Sequence, residues 1–238
     1  MVLSKGCNHA SFIYPLNYCF VNNEIIVRVA TGADQGYAVT ITTEMEASAK
    51  ARGTGIARRS PDYIVAKMQE GKAVIALMPN GAWVGFCYIE AWGHEQFVAN
   101  SGLIVNPEYR KTGVAKRIKQ EIFLLSRRLY PEARIFGLTT GLAVMKINSE
   151  LGYEPVTYTE LTDDDQFWAG CKSCVNYEIL MSKQRKNCLC TAMLYDPQDH
   201  PQELQQPVVK KRWISSTRVR SRLSTIRQLL RRRRKNNS

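Results

Sequence analysis

Apolar positions change their period along the chain, and the changes divide it into elements. Glu24 to Ala30 (EIIVRVA) is rich in β-branched residues and predicts a strand. Thr40 to Ala51 predicts a helix, with Asp34 or Thr40 as candidate caps. Ser60 to Gly71 (SPDYIVAKMQEG) predicts a second helix: Ser60 caps it, Pro61 suits its first position and Gly71 stops it. AVIALM from Ala73 and AWVGFCYIEAW from Ala82 predict two strands, and the Pro-Asn-Gly between them predicts a hairpin. Phe97 to Val105 (FVANSGLIV) predicts a strand ended by Asn106 and Pro107. Val114, Ile118, Ile122, Leu125 and Leu129 then recur at helical spacing, with Lys and Arg assigned to the opposite face. RIFGLT from Arg134 predicts a strand, AVMKINSEL from Ala143 a helix stopped at Gly152, and EPVTYTEL from Glu154 a last strand.

This order, β-α-α-β-β-β-α-β-α-β, predicts an α/β protein with a mixed sheet between helices. Residues 1–23 read as an irregular N-terminal extension, 24–161 as the core, 162–196 as a cysteine-rich appendage packed on it, and 197–238 as a basic tail. Of 238 residues, 45% are hydrophobic and 23% charged, which excludes a largely disordered chain. No apolar run approaches the ~20 residues of a membrane-spanning helix. The net charge of +12 is unevenly placed: Val208 to Ser238 holds many Lys and Arg and no acid, and the remainder is balanced. The basic character is therefore no argument that the folded part binds nucleic acid.

The pattern R-x-x-G-x-A occurs twice, at Arg52 to Ala57 and at Arg110 to Ala115. A diphosphate cradle needs a strand leading in and a helix leading out, whose free N–H groups and dipole face the anion. Only the second match has both; the first follows a helical segment and soon meets Pro61. The motifs of P-loop and Rossmann nucleotide sites are absent.

SGLIVNPEYRKTGVAKRIKQEIF, then RIFGLTT, then AVMKINSELGYEPV resembles the core of the GNAT N-acyltransferases over roughly Glu24 to Leu161. The resemblance implies the GNAT fold: a central twisted mixed sheet splayed at the acyl-CoA slot, with helices on both faces. It implies acetyl-CoA or succinyl-CoA as cosubstrate. Leu103, Ile104 and Val105 would pair with the pantetheine arm. The loop amides of Lys111, Thr112, Gly113, Val114, Ala115 and Lys116 would hold the diphosphate beside Arg110. The Val105 N–H would polarise the thioester carbonyl.

Side chains should supply the proton transfers of amine acylation. The strand before the loop carries no carboxylate, so Glu90, on the neighbouring strand, is the first candidate base and Glu95 the second; a solvated surface role and a water chain stay open. Family members often carry a tyrosine acid where this chain has Asn148. Tyr153 or Ser149 could replace it, or the thiolate could leave unassisted. Arg52, Arg58 and Arg59, near the junction of the first two helices, suit a carboxylate, and Lys146 could add to them. The chain also resembles a narrower group of GNAT proteins linked to arginine biosynthesis, thought to be N-acylglutamate synthases. That implies L-glutamate as a small-molecule acceptor; another amine, or a protein acceptor, is the alternative.

Cys171, Cys174, Cys188 and Cys190 have the number and clustering of structural zinc ligands, although a C-x-C pair is tight for one. Simple burial is the competing reading, and redox or disulfide chemistry a third. The tail places Val219, Leu223, Ile226 and Leu230 at helical spacing among arginines, a pattern suited to nucleic acid or an acidic surface, against a solvated extension of no specific role. With that tail, a GNAT core of weak activity acting as an adaptor is a third function. A cytoplasmic, soluble enzyme and a homodimer complete the expectations.

Overall fold

The structure, a computed structural model, describes residues 24–53 and 58–200. The expected N-terminal extension, the centre of the first R-x-x-G-x-A match at 54–57, and the basic tail beyond residue 200 lie outside the described residues. The elements are β1 (Ile26–Val29), α1 (Ala38–Arg52), α2 (Pro61–Gln69), β2 (Ala73–Leu77), β3 (Trp83–Trp92), β4 (Phe97–Val105) and α3 (Val114–Leu129). They continue with β5 (Arg134–Thr139), α4 (Leu142–Glu150), β6 (Glu154–Val156), α5 (Asp165–Ala169), α6 (Tyr177–Ser182) and β7 (Thr191–Tyr195). The strands form one seven-stranded sheet, in the order β1-β2-β3-β4-β5-β7-β6. Only β4 and β5 are parallel among its pairs.

Local chemistry accounts for the element boundaries. The Ser60 side chain accepts from the Tyr63 N–H at 3.2 Å, capping α2 with Pro61 at its start. α1 ends at Gly53 in left-handed geometry, so the first R-x-x-G-x-A match begins at a helix C-terminus. The helix dipole there disfavours an anion. The last predicted strand is shorter than expected. Pairing stops at Val156, and Tyr158–Glu160 turn instead, with the Thr157 N–H donating to Glu160.

Helices cover both faces of the sheet, which is why β2 is buried at every position. Val74 and Ala76 join the α3 side with Ile118 and Ile122. Ala73, Ile75 and Leu77 join the α1–α2 side with Ile41, Ile64 and Met68. Each such Val, Leu, Ile or Met side chain contributes about 1.5–3 kcal/mol of burial. The α3 stripe differs from its prediction at two positions: Leu129 is exposed, and Lys119 is buried on the apolar face.

The chain does not leave the sheet at Leu161. It passes through α5 and α6 and returns as β7, inserted between β5 and β6. Thr191–Tyr195 was missed as a strand because the neighbouring cysteines dominate the reading of that stretch. Its signal was present: Ala192, Met193, Leu194 and Tyr195 are consecutive apolar residues, all buried. Ala192 and Leu194 face a third cluster with Phe136, Tyr158, Trp168 and Leu180, which fastens the cysteine-containing segment to the sheet.

Candidate active site

The parallel pair comes apart. β4 and β5 are in register only from Phe97 with Arg134 to Ala99 with Phe136. Beyond that they diverge, so the gap between SGLIV and RIFGLT is a real one. On its other side β4 pairs with β3, and the Asn106 N–H donates to Val84 at 2.9 Å. Antiparallel residues alternate in direction. Ile104 therefore bonds to β3, while Leu103 and Val105 turn their main-chain groups toward the gap. A bulge lies just upstream, where Cys87 opposes both Gly102 and Leu103. Gly102 sits there at φ +64°, with the Tyr88 ring against its Cα.

At the C-terminal end of β4 the chain turns through residues 110–113, all exposed, into α3. Gly113 has φ +86°, and a side chain there would project into open space. It occupies the N-cap, so the first-turn N–H groups of Val114 and Ala115 have no acceptor within the helix. A strand, a glycine turn and a helix start thus converge on a solvent-open spot suited to a phosphate. Arg110 is engaged elsewhere: it donates to Val105 O at 3.2 Å, Glu44 Oε1 at 2.9 Å and Ser48 Oγ at 2.8 Å, tying the end of β4 to α1. Lys116 pairs with Glu150.

A cavity of about 320 Å³ opens from the gap. Its walls include Ser101, Gly102 and Leu103 on one side and Gly137, Leu138 and Thr139 on the other. Arg52, Arg59 and Glu90 reach it from α1, the α2 entrance and β3. Glu90 is 5% exposed and the sole carboxylate on the cavity wall among the described residues. Its Oε1 accepts from Tyr63 OH and from Arg59 at 3.1 Å. Burial opposes the charge of Arg59, but Tyr88 and Glu90 overcome it and hold the guanidinium protonated. Burial, then the bond to Glu90, raises the Tyr63 hydroxyl above its usual range. Arg59 Nε is buried with no partner, a donor available to a ligand.

The other predicted residues scatter. Arg58 pairs with Glu46 at 3.0 Å on the surface, and its N–H donates to Ser173. Lys146 is exposed on α4 and does not line the cavity. Tyr153 is a core aromatic, 2% exposed against Phe123 and Tyr195; its hydroxyl donates to Asn100 at 3.0 Å, and it too is off the cavity wall. Sequence reasoning missed Lys119, Asn100 and the aromatic wall of Trp92, Phe167 and Trp168. Asn100, Lys119 and Trp92 lay in segments already read as elements around the site, whereas Phe167 and Trp168 lay in the segment read as an appendage.

The zinc expectation finds no support. All four cysteines gather on one rim of the cavity, but among the described residues no group of three or more His, Cys, Asp or Glu is placed to hold a metal ion. Burial, then the neighbouring thiols, pushes Cys171 up to about 11 and Cys190 up to about 12. Cys171, Cys188 and Cys190 pack against the Tyr158–Trp168–Leu180 cluster as small hydrophobes. Cys174 accepts from the Asn176 N–H at 3.4 Å, and Cys188 donates to Asn176 O at 3.8 Å.

No family model and no curated protein matches the chain. Solved structures do. N-acetylglutamate synthase from Neisseria gonorrhoeae, complexed with coenzyme A and N-acetyl-glutamate, is 16% identical with a TM-score of 0.51, over 73% of this chain and 35% of that one. A Mycobacterium tuberculosis protein in complex with CoA is 18% identical with a TM-score of 0.51, over 72% of this chain and 98% of that one. The yncA protein of Salmonella typhimurium, with its cofactor acetyl-CoA, is 14% identical with a TM-score of 0.50, over 79% and 99%. The chain spans about a third of the Neisseria synthase, and at these identities the fold is what is shared.

Proposed function

We propose that this chain, whose fold is that of the GNAT acyltransferases, is an acyl-CoA-dependent N-acyltransferase acting on the amine of a small carboxylate-bearing acceptor, with L-glutamate the first candidate. The observation that carries the reading is the splayed β4–β5 pair, with an exposed glycine turn and helix start at its open end. These residues suit a nucleotide thioester: the turn for the diphosphate, and the main-chain groups of Leu103 and Val105 for the pantetheine. Main-chain donors along the gap stabilise the oxyanion that forms as the amine attacks.

Arg59, with Arg52 beside the same cavity, offers a paired grip to the acceptor carboxylate. Glu90 holds Arg59 in place and is the carboxylate nearest to hand for the amine proton. The N-acetyl-glutamate in the Neisseria complex supports glutamate as the first amino acid to try. Acetyl-CoA and succinyl-CoA are both candidate donors. Arginine biosynthesis and a cytoplasmic location follow from the glutamate reading, and among the described residues no helix is long and apolar enough to cross a membrane.

Thiol release from each acyl-CoA, measured with and without a panel of amino acids, tests the proposal. Glutamate-dependent release is expected. Arg59→Ala and Arg52→Ala should each raise the KM for glutamate about tenfold or more, the size of one lost charged contact, and leave CoA binding intact. Release stimulated only by other amines would replace glutamate. Absence of CoA binding would overturn the acyltransferase reading.

A further inference from the structure

Lys119 is the group in this molecule without an evident reason to be where it is. It lies on the apolar face of α3, 2% exposed, beside Ile118 and Ile122. A lysine there costs more than any substitution by leucine or methionine, since burying an unpaired charge is expensive. Among the described residues it has no carboxylate partner and no hydrogen-bond acceptor. Its ammonium sits 5.2 Å from the centroid of the Tyr153 ring. The surrounding polar groups are already committed. The Cys87 thiol, pushed up to about 11 by burial, donates to Ser101 O at 3.2 Å. The Tyr153 hydroxyl donates to Asn100, whose amide donates to Ser126 at 2.8 Å.

Lys119 also lines the cavity, whose walls include Asn100 to Leu103 and Gly137 to Gly141. That is where the splayed strands would place the reactive end of a thioester. Asn148 lines the same cavity, 1% exposed, and its side-chain oxygen is buried with no donor. An unmatched donor and an unmatched acceptor thus face one space. A group that is anionic at one moment and an S–H donor at the next would satisfy both.

We propose that Lys119 supplies the proton to the departing thiolate of the acyl donor, and that Asn148 accepts the S–H hydrogen so formed. The assignment rests on the acyltransferase reading above. As the tetrahedral adduct collapses, the C–S bond breaks and its electron pair goes to sulfur. The ammonium proton of Lys119 moves to that sulfur, giving free thiol and a neutral amine. The proton shed by the attacking nitrogen passes to Glu90 and on to solvent through the open cavity, and Lys119 regains one from solvent. Burial eases the transfer, because desolvation lowers the Lys119 ammonium toward the thiol range. The charged neighbours do not oppose it: the titratable groups facing Lys119 are the Cys87 thiol from β3 and Tyr153 from the turn after α4, both neutral at pH 7.

The experiment titrates the thiol of CoA bound to the full-length protein, by the ultraviolet absorbance of the thiolate, with binding measured calorimetrically at a pH where the thiol is protonated. On the wild type the bound thiol should ionise about 1–3 units lower than in free CoA, the effect of an adjacent cation. Lys119→Met should abolish that shift, leave CoA affinity at low pH within about twofold, and lower kcat about a hundredfold, the usual worth of a proton donor. Lys119→Arg should retain the thiol shift. A merely structural lysine would change stability and leave the thiol titration alone. Bound CoA whose thiol titrates as in free solution overturns the proposal even if no variant folds, and leaves the acyltransferase reading standing. Failure to bind CoA removes both.

Discussion

Gly102→Ala is the sharpest test of the β4 bulge on which the gap depends. Gly102 has φ +64°, and a Cβ there would lie 2.2 Å from Tyr88 Cε1 and 2.9 Å from Met45 Cε. Two costs are separable. The left-handed backbone costs a non-glycine residue about 1–2 kcal/mol. The overlap falls on a ring 2% exposed, between Phe86 and Tyr63, so Tyr88 cannot simply swing away; such overpacking costs about 1–3 kcal/mol. The sum, about 2–5 kcal/mol, is a large share of a domain's ~5–15 kcal/mol. Urea denaturation should show a midpoint lowered by about 1–2 M at unchanged slope. In a Tyr88→Ala background the ring overlap vanishes and only the flexible end of Met45 has to shift, so the same glycine substitution should cost little more than the backbone part. A Gly102→Ala variant as stable as the wild type, or an equal penalty in both backgrounds, would refute the geometry described for this bulge.

Other expectations follow from the same coordinates. Arg28 grips buried Asp34 through two bonds, of 2.7 and 2.8 Å, and the Thr31 N–H adds a third at 2.8 Å. The bond from Arg28 holds the Asp34 carboxyl below its usual range, so its stabilisation is complete above the unfolded value of about 3.9 and is lost as pH falls through the lower folded one. Asp34→Asn should therefore cost about 2 kcal/mol near neutrality, with the thermal melting curves of variant and wild type converging in acid. Gly113→Val fills the open space at the α3 N-cap and should weaken CoA binding at least about tenfold, or ~1.4 kcal/mol, by calorimetry; undiminished affinity would exclude this turn as the phosphate site.

Much of this molecule was legible in order of residues alone, wherever the cause is local. Ser60 and Pro61 start a helix because they satisfy and forgo N–H groups within one turn. Gly113 can open α3 because it alone tolerates its φ. Alternating or helical periods located the elements from β1 to β6 but not α5, α6 or β7, and the R-x-x-G-x-A turn lies at the open end of the gap. Tertiary structure decided what depends on partners far along the chain. That β4 and β5 pair for three residues and then part, that Thr191–Tyr195 returns between β5 and β6, and that Arg59 reaches Glu90 while Lys146 reaches nothing in the cavity are products of long-range packing. Lys119 shows the division most plainly: its helical position was plain from the spacing, but only the sheet beneath α3 determined that its charge would be buried against a cavity instead of bathed in water.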